Sequence, residues 1–169
     1  MEVKVRSVVV FAVAAIAFLA AMYAIFRPTE ESRIIAAFSR ASNVISKSEG
    51  ESILTTAAKT SAIADLADAK IKVSVPEQGF NATIAPPEAA RHATAVRASC
   101  VSISVRFDNV RVQSIEGDVA HATAKMVVSG SGIESYLSTH QTRHIDAYLK
   151  KSAADGKWRF SAVSVDVVP

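Results

Sequence analysis

The chain predicts an α+β domain carried behind an N-terminal transmembrane helix. Three observations predict it. Val8 to Phe26 are 19 consecutive apolar or near-apolar residues with no charge, glycine or proline. From Pro28 to about Leu66 the apolar residues recur at helical spacing. Most of the chain after Ala98 instead alternates apolar and polar residues at period 2, the mark of half-buried strands. Helices early and antiparallel strands late indicate α+β rather than α/β.

At about 1.5 Å per residue a helix over Val8–Phe26 is roughly 28 Å long, close to the thickness of a bilayer's hydrocarbon core. Lys4 and Arg6 precede it, as in both a signal peptide and a signal anchor. Bulky Met22 and Tyr23 interrupt every good cleavage site around Leu19–Ala24, so a retained anchor is expected. Residues 1–27 form this segment and residues 28–169 the following domain. Arg27, Arg33 and Arg40 lie beyond the run, so positive charge alone does not orient it. Long following domains translocate largely regardless of charge, which places the N-terminus in the cytoplasm and the domain outside it, in the periplasm of a bacterium.

Pro28-Thr29-Glu30-Glu31 reads as a helix start, with Thr29 as cap and two carboxylates at the positive end of the helix dipole. Ile34, Ile35, Phe38, Val44 and Ile45 follow helical spacing, and Ser48-Glu49-Gly50 ends the segment. A second helix is expected over Glu51–Leu66, packing through Ile53, Leu54, Ala57 and Ala64. Ile71, Val73 and Val75 then alternate with Lys70, Lys72 and Ser74 as a strand, closed by Pro76–Gly79. Phe80–Ala85 fits more than one state. Pro86-Pro87-Glu88 opens a third helix to about Ala98, because proline is tolerated in a first turn.

Val101, Ile103, Val105 and Phe107 begin a long strand, kinked or bulged at Asp108-Asn109 and continued by Val110 and Val112. Glu116-Gly117-Asp118 is a hairpin signal. The return strand, Val119–Ser129, puts Ala120, Ala122, Ala124 and Met126 on one face. A loop is expected from Gly130 to about Ser138, a strand over Thr139–Lys151, a turn at Ala154–Lys157 and a last strand over Trp158–Val168. The expected architecture is three helices over one face of a bent, mainly antiparallel sheet.

Composition excludes several function classes. Setting aside Glu2, Lys4 and Arg6 leaves 17 basic against 15 acidic side chains, a near-neutral domain with no block of like charge to hold a nucleic acid. The single cysteine, Cys100, rules out an intrachain disulfide, and its place before Val101-Ser102-Ile103 predicts burial. No second cysteine and no histidine pair at ligand spacing indicates zinc, no glycine-rich phosphate loop is present, and Gly130-Ser131-Gly132 is too short for a nucleophile elbow. Asn81-Ala82-Thr83 fits a glycosylation sequon. No cofactor is expected.

The second half carries a resemblance. Phe107-Asp108-Asn109-Val110-Arg111-Val112 is followed by Ile115-Glu116-Gly117-Asp118-Val119-Ala120-His121-Ala122, then Leu149-Lys150-Lys151, Asp155-Gly156-Lys157-Trp158-Arg159-Phe160 and Ser164-Val165. Their order and spacing over residues 30–168 resemble the nuclear transport factor 2-like superfamily, the cystatin-like cone shared with ketosteroid isomerase and SnoaL-like proteins. The resemblance implies a cone whose interior can serve as a pocket, and it leaves function open.

Chemistry of the ketosteroid-isomerase type would need a desolvated carboxylate base and a tyrosine or protonated acid to stabilise an enolate. The weak candidates are His144, Asp146 and Tyr148, which strand parity puts on one face; with Ile145, Ala147 and Leu149 turned to the core, that face is expected to meet solvent. His92 beside Arg91 on the third helix, and His121 alternating outward between Ala120 and Ala122, are expected to be exposed; His140 lies in or beside a loop. No catalytic set is assigned. The expected function is a membrane-tethered, non-catalytic binding or assembly domain, with the lipid bilayer at residues 8–26 and a second copy or a membrane protein as partner. The alternative is a small enzyme or ligand carrier using the cone.

Overall fold

The computed structural model describes residues 28–132 and 141–167, together with Ala15, Ile16 and Phe18. The chain divides into two compact units, Met1–Glu30 and Glu31–Pro169. In the first, Ala15, Ile16 and Phe18 are helical, and Ile16 and Phe18 are exposed. Among the described residues no helix is long and apolar enough to cross a bilayer; the rest of the expected anchor lies outside them.

The second unit runs α1 (Glu30–Ile45), α2 (Ile53–Ala64), β1 (Ala67–Val75), a 3₁₀ turn (Pro76–Gln78), β2 (Phe80–Ile84), α3 (Pro86–Ser99), β3 (Ser102–Glu116), β4 (Val119–Ser131), β5 (Gln141–Lys151) and β6 (Trp158–Val167). Among the described residues it is α+β, with three helices and one six-stranded sheet in the order β2-β1-β6-β5-β4-β3. All neighbours pair antiparallel except β1 with β6, which run parallel through Lys72–Ala162, Val73–Val163 and Ser74–Ser164. Phe80–Ile84, ambiguous by pattern, pairs with β1 as the edge strand.

α1 forms as its pattern requires. Ile34, Ala37, Phe38, Ala41 and Val44 make one buried stripe. The sheet meets that stripe with Ala120, Ala122 and Ala124 of β4 and Ile145, Ala147 and Leu149 of β5, all buried. The alanines keep the sheet surface low, so the larger α1 side chains seat on it. Phe38 sits at the centre, edge-to-face with Phe107 (5.4 Å) and Phe160 (5.1 Å), and Trp158 closes the same core.

Several expectations need correction. α2 starts two residues later than expected, because the Ser52 hydroxyl accepts from the Thr55 N–H and caps it there. Its first turn, offered as a packing face, is 88% exposed at Ile53 and 84% at Leu54; Ile63 is the residue this helix buries. Gly130 and Ser131 remain in β4 rather than opening a loop. The kink or bulge expected at Asp108-Asn109 is present as a bulge inside one continuous strand, with Asn109 at φ 53°. The loop and strand start expected over residues 133–140 lie outside the described residues.

Candidate functional site

The sheet has two faces and each carries a recess. Inside the cone, under the helices, is a cavity of about 220 Å³. α1 contributes Phe38, Ala41 and Ile45, the end of α2 and start of β1 contribute Ile63, Leu66, Ala67 and Ile71, and α3 contributes Ala89. Phe107, Met126, Ile145, Phe160, Val163 and Val165 form the sheet wall. Every lining residue is apolar, and no titratable side chain borders the cavity among the described residues.

His144, Asp146 and Tyr148 do share a face, and it is the opposite one. Along β5 they alternate with buried Ile145, Ala147 and Leu149, so they stand outside the cone. His144 pairs in register with Lys125 on one side and Asp166 on the other. Asp146 and Tyr148 meet a residue that sequence pattern leaves unpartnered. His121 of β4 brings Nε2 to 3.0 and 3.1 Å from the two Asp146 carboxylate oxygens, and its ring stacks on Tyr148 at 4.7 Å with a 10° interplanar angle. Strand parity places His121 outward correctly, but its neighbours follow from the β4–β5 register, in which it sits opposite Tyr148 and one row from Asp146.

Asp146 and Tyr148 border an outer recess of about 210 Å³, completed by Lys72 and Ser74 of β1, Asn81 of β2, and Ala162, Val163 and Ser164 of β6. The His121 and Asp146 side chains keep 27% and 36% of their surface in water. A carboxylate so placed is not desolvated in the way proton abstraction from carbon requires.

The other candidates stand apart. His92 and Arg91 are exposed on α3, each near Glu88 at 3.8 and 3.9 Å. Cys100 is buried and donates its S–H to the Val96 carbonyl at 3.0 Å. His140 lies outside the described residues. No group of three His, Cys, Asp or Glu fit to hold a metal occurs among the described residues.

The charged group that pattern reasoning missed is Arg97, 2% exposed. Its Nη1 donates to the carbonyls of Val44 (2.9 Å), Ile45 (2.9 Å) and Ser46 (2.7 Å) at the C-terminal end of α1, and its Nη2 to the Glu51 carboxylate. Lys59 closes the cluster, donating to Ser46 O at 2.8 Å and Glu51 at 2.7 Å. Burial acts to raise the Glu51 carboxyl; hydrogen bonds from Lys59 and Thr56 and the charges of Arg97 and Lys59 outweigh it and hold the group below its ordinary value. The network closes the carbonyl end of α1 and ties all three helices together.

No family model matches the chain, and no curated protein matches it. Solved structures do. The Kfla4162 protein of Kribbella flavida superposes with a TM-score of 0.65 at 13% identity, over 82% of this chain and 90% of that one. A nuclear transport factor 2-like protein with a cystatin-like fold from Novosphingobium aromaticivorans gives 0.59 at 18% identity, over 89% and 88%. The hexachlorocyclohexane dehydrochlorinase LinA-type3 of Novosphingobium barchaimii gives 0.59 at 15%, over 79% and 83%. At these identities the likeness is one of fold, and it agrees with the element order and the helix-covered curved sheet: the domain has the nuclear transport factor 2-like, cystatin-like α+β cone fold.

Proposed function

We propose that this protein is a membrane-tethered, extracytoplasmic binding domain without catalytic activity, whose cone receives a small apolar molecule or acyl segment. Val8–Phe26 is the anchor, the N-terminus is cytoplasmic, and a second copy or a membrane protein is the macromolecular partner. One observation carries the ligand reading: every described residue that lines the cavity is apolar. Dehydration or dehydrochlorination calls for a proton-accepting side chain beside the substrate. Here the acid/base groups of β5 face away from the cavity, which supports binding over chemistry.

The cavity is also large enough. An apolar cavity of about 150 Å³ lined by Leu, Ile and Phe stays dry and takes up benzene; this one measures about 220 Å³. Methyl NMR of the full chain in phospholipid nanodiscs, titrated with benzene, tests the reading. Expected are saturable shifts at the methyls of Ile63, Ile71, Met126 and Ile145, lost in Ala89→Phe, which fills the space from α3. Unmoved methyls, or shifts that survive Ala89→Phe, refute it. Tethering is tested by carbonate extraction and protease protection in cells. A chain extracted by carbonate, or shielded from external protease once the outer barrier is opened, refutes the assigned placement.

A further inference from the structure

A third recess, of about 350 Å³, lies between α1 and the β5–β6 turn, and its lining is cationic. Arg33, Ala36 and Arg40 form one wall; Asp155, Gly156 and Lys157 form the other, with Trp158 beside them. The three helix residues are spaced i, i+3, i+7, which places them on one stripe of α1.

The lone carboxylate bordering this recess among the described residues is already committed. Arg159 holds Asp155 through two hydrogen bonds of 3.1 and 2.8 Å, and the Lys157 backbone N–H donates to it at 3.2 Å. The Arg159 hydrogen bond foremost, then the lesser Lys157 and Ser152 bonds and the Arg159 charge, keep this carboxyl far below the usual carboxylate range against the opposing effect of burial. The Lys157 ammonium stands farther off, at 3.6 Å from the same carboxylate. Of the residues lining the recess, Arg33, Arg40 and Lys157 are cationic, against the one carboxylate of Asp155, which Arg159 chiefly holds. Arginine presents paired N–H donors that match phosphate oxygens, and lysine adds a point charge.

We propose that this recess binds a phosphate group, carried by an anionic lipid headgroup or by a soluble phosphate ester. The lipid source rests on the tethered reading above. Arg33 is seven residues beyond Phe26, so at most about 25 Å of chain separates it from the end of the apolar run. With that run in a bilayer, the recess lies within reach of the headgroups. The phosphate site itself stands without the tether.

Trp158 is the protein's single tryptophan, so its emission reports on this recess. The full chain is placed in nanodiscs of neutral phosphatidylcholine and titrated with inorganic phosphate against chloride at equal ionic strength. A second arm replaces part of the lipid with phosphatidylglycerol. A saturable emission change in either arm is expected, with half-saturation raised about tenfold or more in Arg33→Gln/Arg40→Gln, since each charge-assisted bond lost weakens binding by about that factor. Response to phosphate alone assigns a soluble ester; response to phosphatidylglycerol alone assigns the headgroup. Equal response to chloride, silence in both arms, or a double variant that responds like the parent overturns the proposal. If the double variant does not fold, Lys157→Gln, exposed on the opposite wall, replaces it: weaker binding supports the site and parental binding overturns it. A chain that does not associate with the discs removes the tether, and the phosphate arm is then read in solution.

Discussion

Replacing Arg97 by methionine keeps the length and apolar stem of the side chain and deletes its charge. The Val44 and Ile45 carbonyls then lose Arg97 as donor, the Ser46 carbonyl keeps only Lys59, and Glu51 keeps Lys59 and Thr56 but loses its buried guanidinium partner. The Arg97 and Glu51 side chains are 2% and 4% exposed, so water does not replace what is lost. Removing one member of a buried pair costs about 3–5 kcal/mol. Each orphaned buried acceptor costs about 1–3 kcal/mol, but these carbonyls share one donor atom and a methionine leaves room for relaxation, so the sum is not additive. The expected loss is therefore about 3–5 kcal/mol, or roughly 10–20 °C in the unfolding temperature of a domain this size. Denaturant unfolding followed by circular dichroism measures it. A loss below about 1 kcal/mol would refute this account, because it would mean the cluster contributes no more than an exposed ion pair does. Lysine at this position is expected to recover only part of the loss, because one ammonium does not reproduce the planar fork that reaches three carbonyls and a carboxylate.

The folded-state carboxyl of Glu51 lies below its ordinary 4.5, so its stabilisation is complete above that pH and is lost as pH falls through the lower folded value. Glu51→Gln is therefore less stable than the parent at pH 7, and the gap closes below about pH 4.5; a gap of constant size from pH 7 to pH 2.5 contradicts this. Phe38→Ala is expected to cost about 3–5 kcal/mol in chemical denaturation, through lost contacts with Phe107 and Phe160 and the cavity left behind. Gly130→Ala would put a Cβ 2.7 Å from the Ser102 carbonyl oxygen, a backbone atom that cannot swing aside, so about 1–3 kcal/mol is lost and amide exchange at Ile103 and Ser104 accelerates; unchanged exchange there sinks the claim. His121→Ala removes a half-exposed hydrogen bond and one ring contact, and is expected to change unfolding by only about 1 kcal/mol.

Much of the fold is legible in the sequence because its elements carry one period each. Ile34, Phe38 and Val44 announce the buried stripe of α1, and Ala120, Ala122 and Ala124 the inner face of β4. What pattern misses is set by distant partners. Hydrophobicity assigns Ile53 and Leu54 to a core, but the Ser52 cap fixes where α2 begins and leaves that turn in water. Helical period puts Arg97 on the stripe of Ala90, seven residues earlier, but its charge gives no sign of burial, and nothing local reveals that the last carbonyls of α1 end beside it. The parallel β1–β6 pair joins residues about ninety positions apart, and no local signal encodes such a pairing.

The candidate site divides along the same line. Strand parity is local, so it correctly separates His144, Asp146 and Tyr148 from Ile145, Ala147 and Leu149. Register is not local, so it hides that His121 joins Asp146 and Tyr148. Parity also has a consequence for function. β5 gives Ile145 to the apolar cavity and, one residue later, Asp146 to the polar recess on the other side of the sheet. A strand has only two faces, so each polar side chain that β5 shows to water fixes an apolar neighbour toward the helices. A one-residue slip of β5 would exchange the two sets and bring a carboxylate into the cone, but it would also push Ile145, Ala147 and Leu149 out of the core. The hydrophobic effect that fixes the register of this strand is therefore the same force that keeps its acid/base residues out of the cavity.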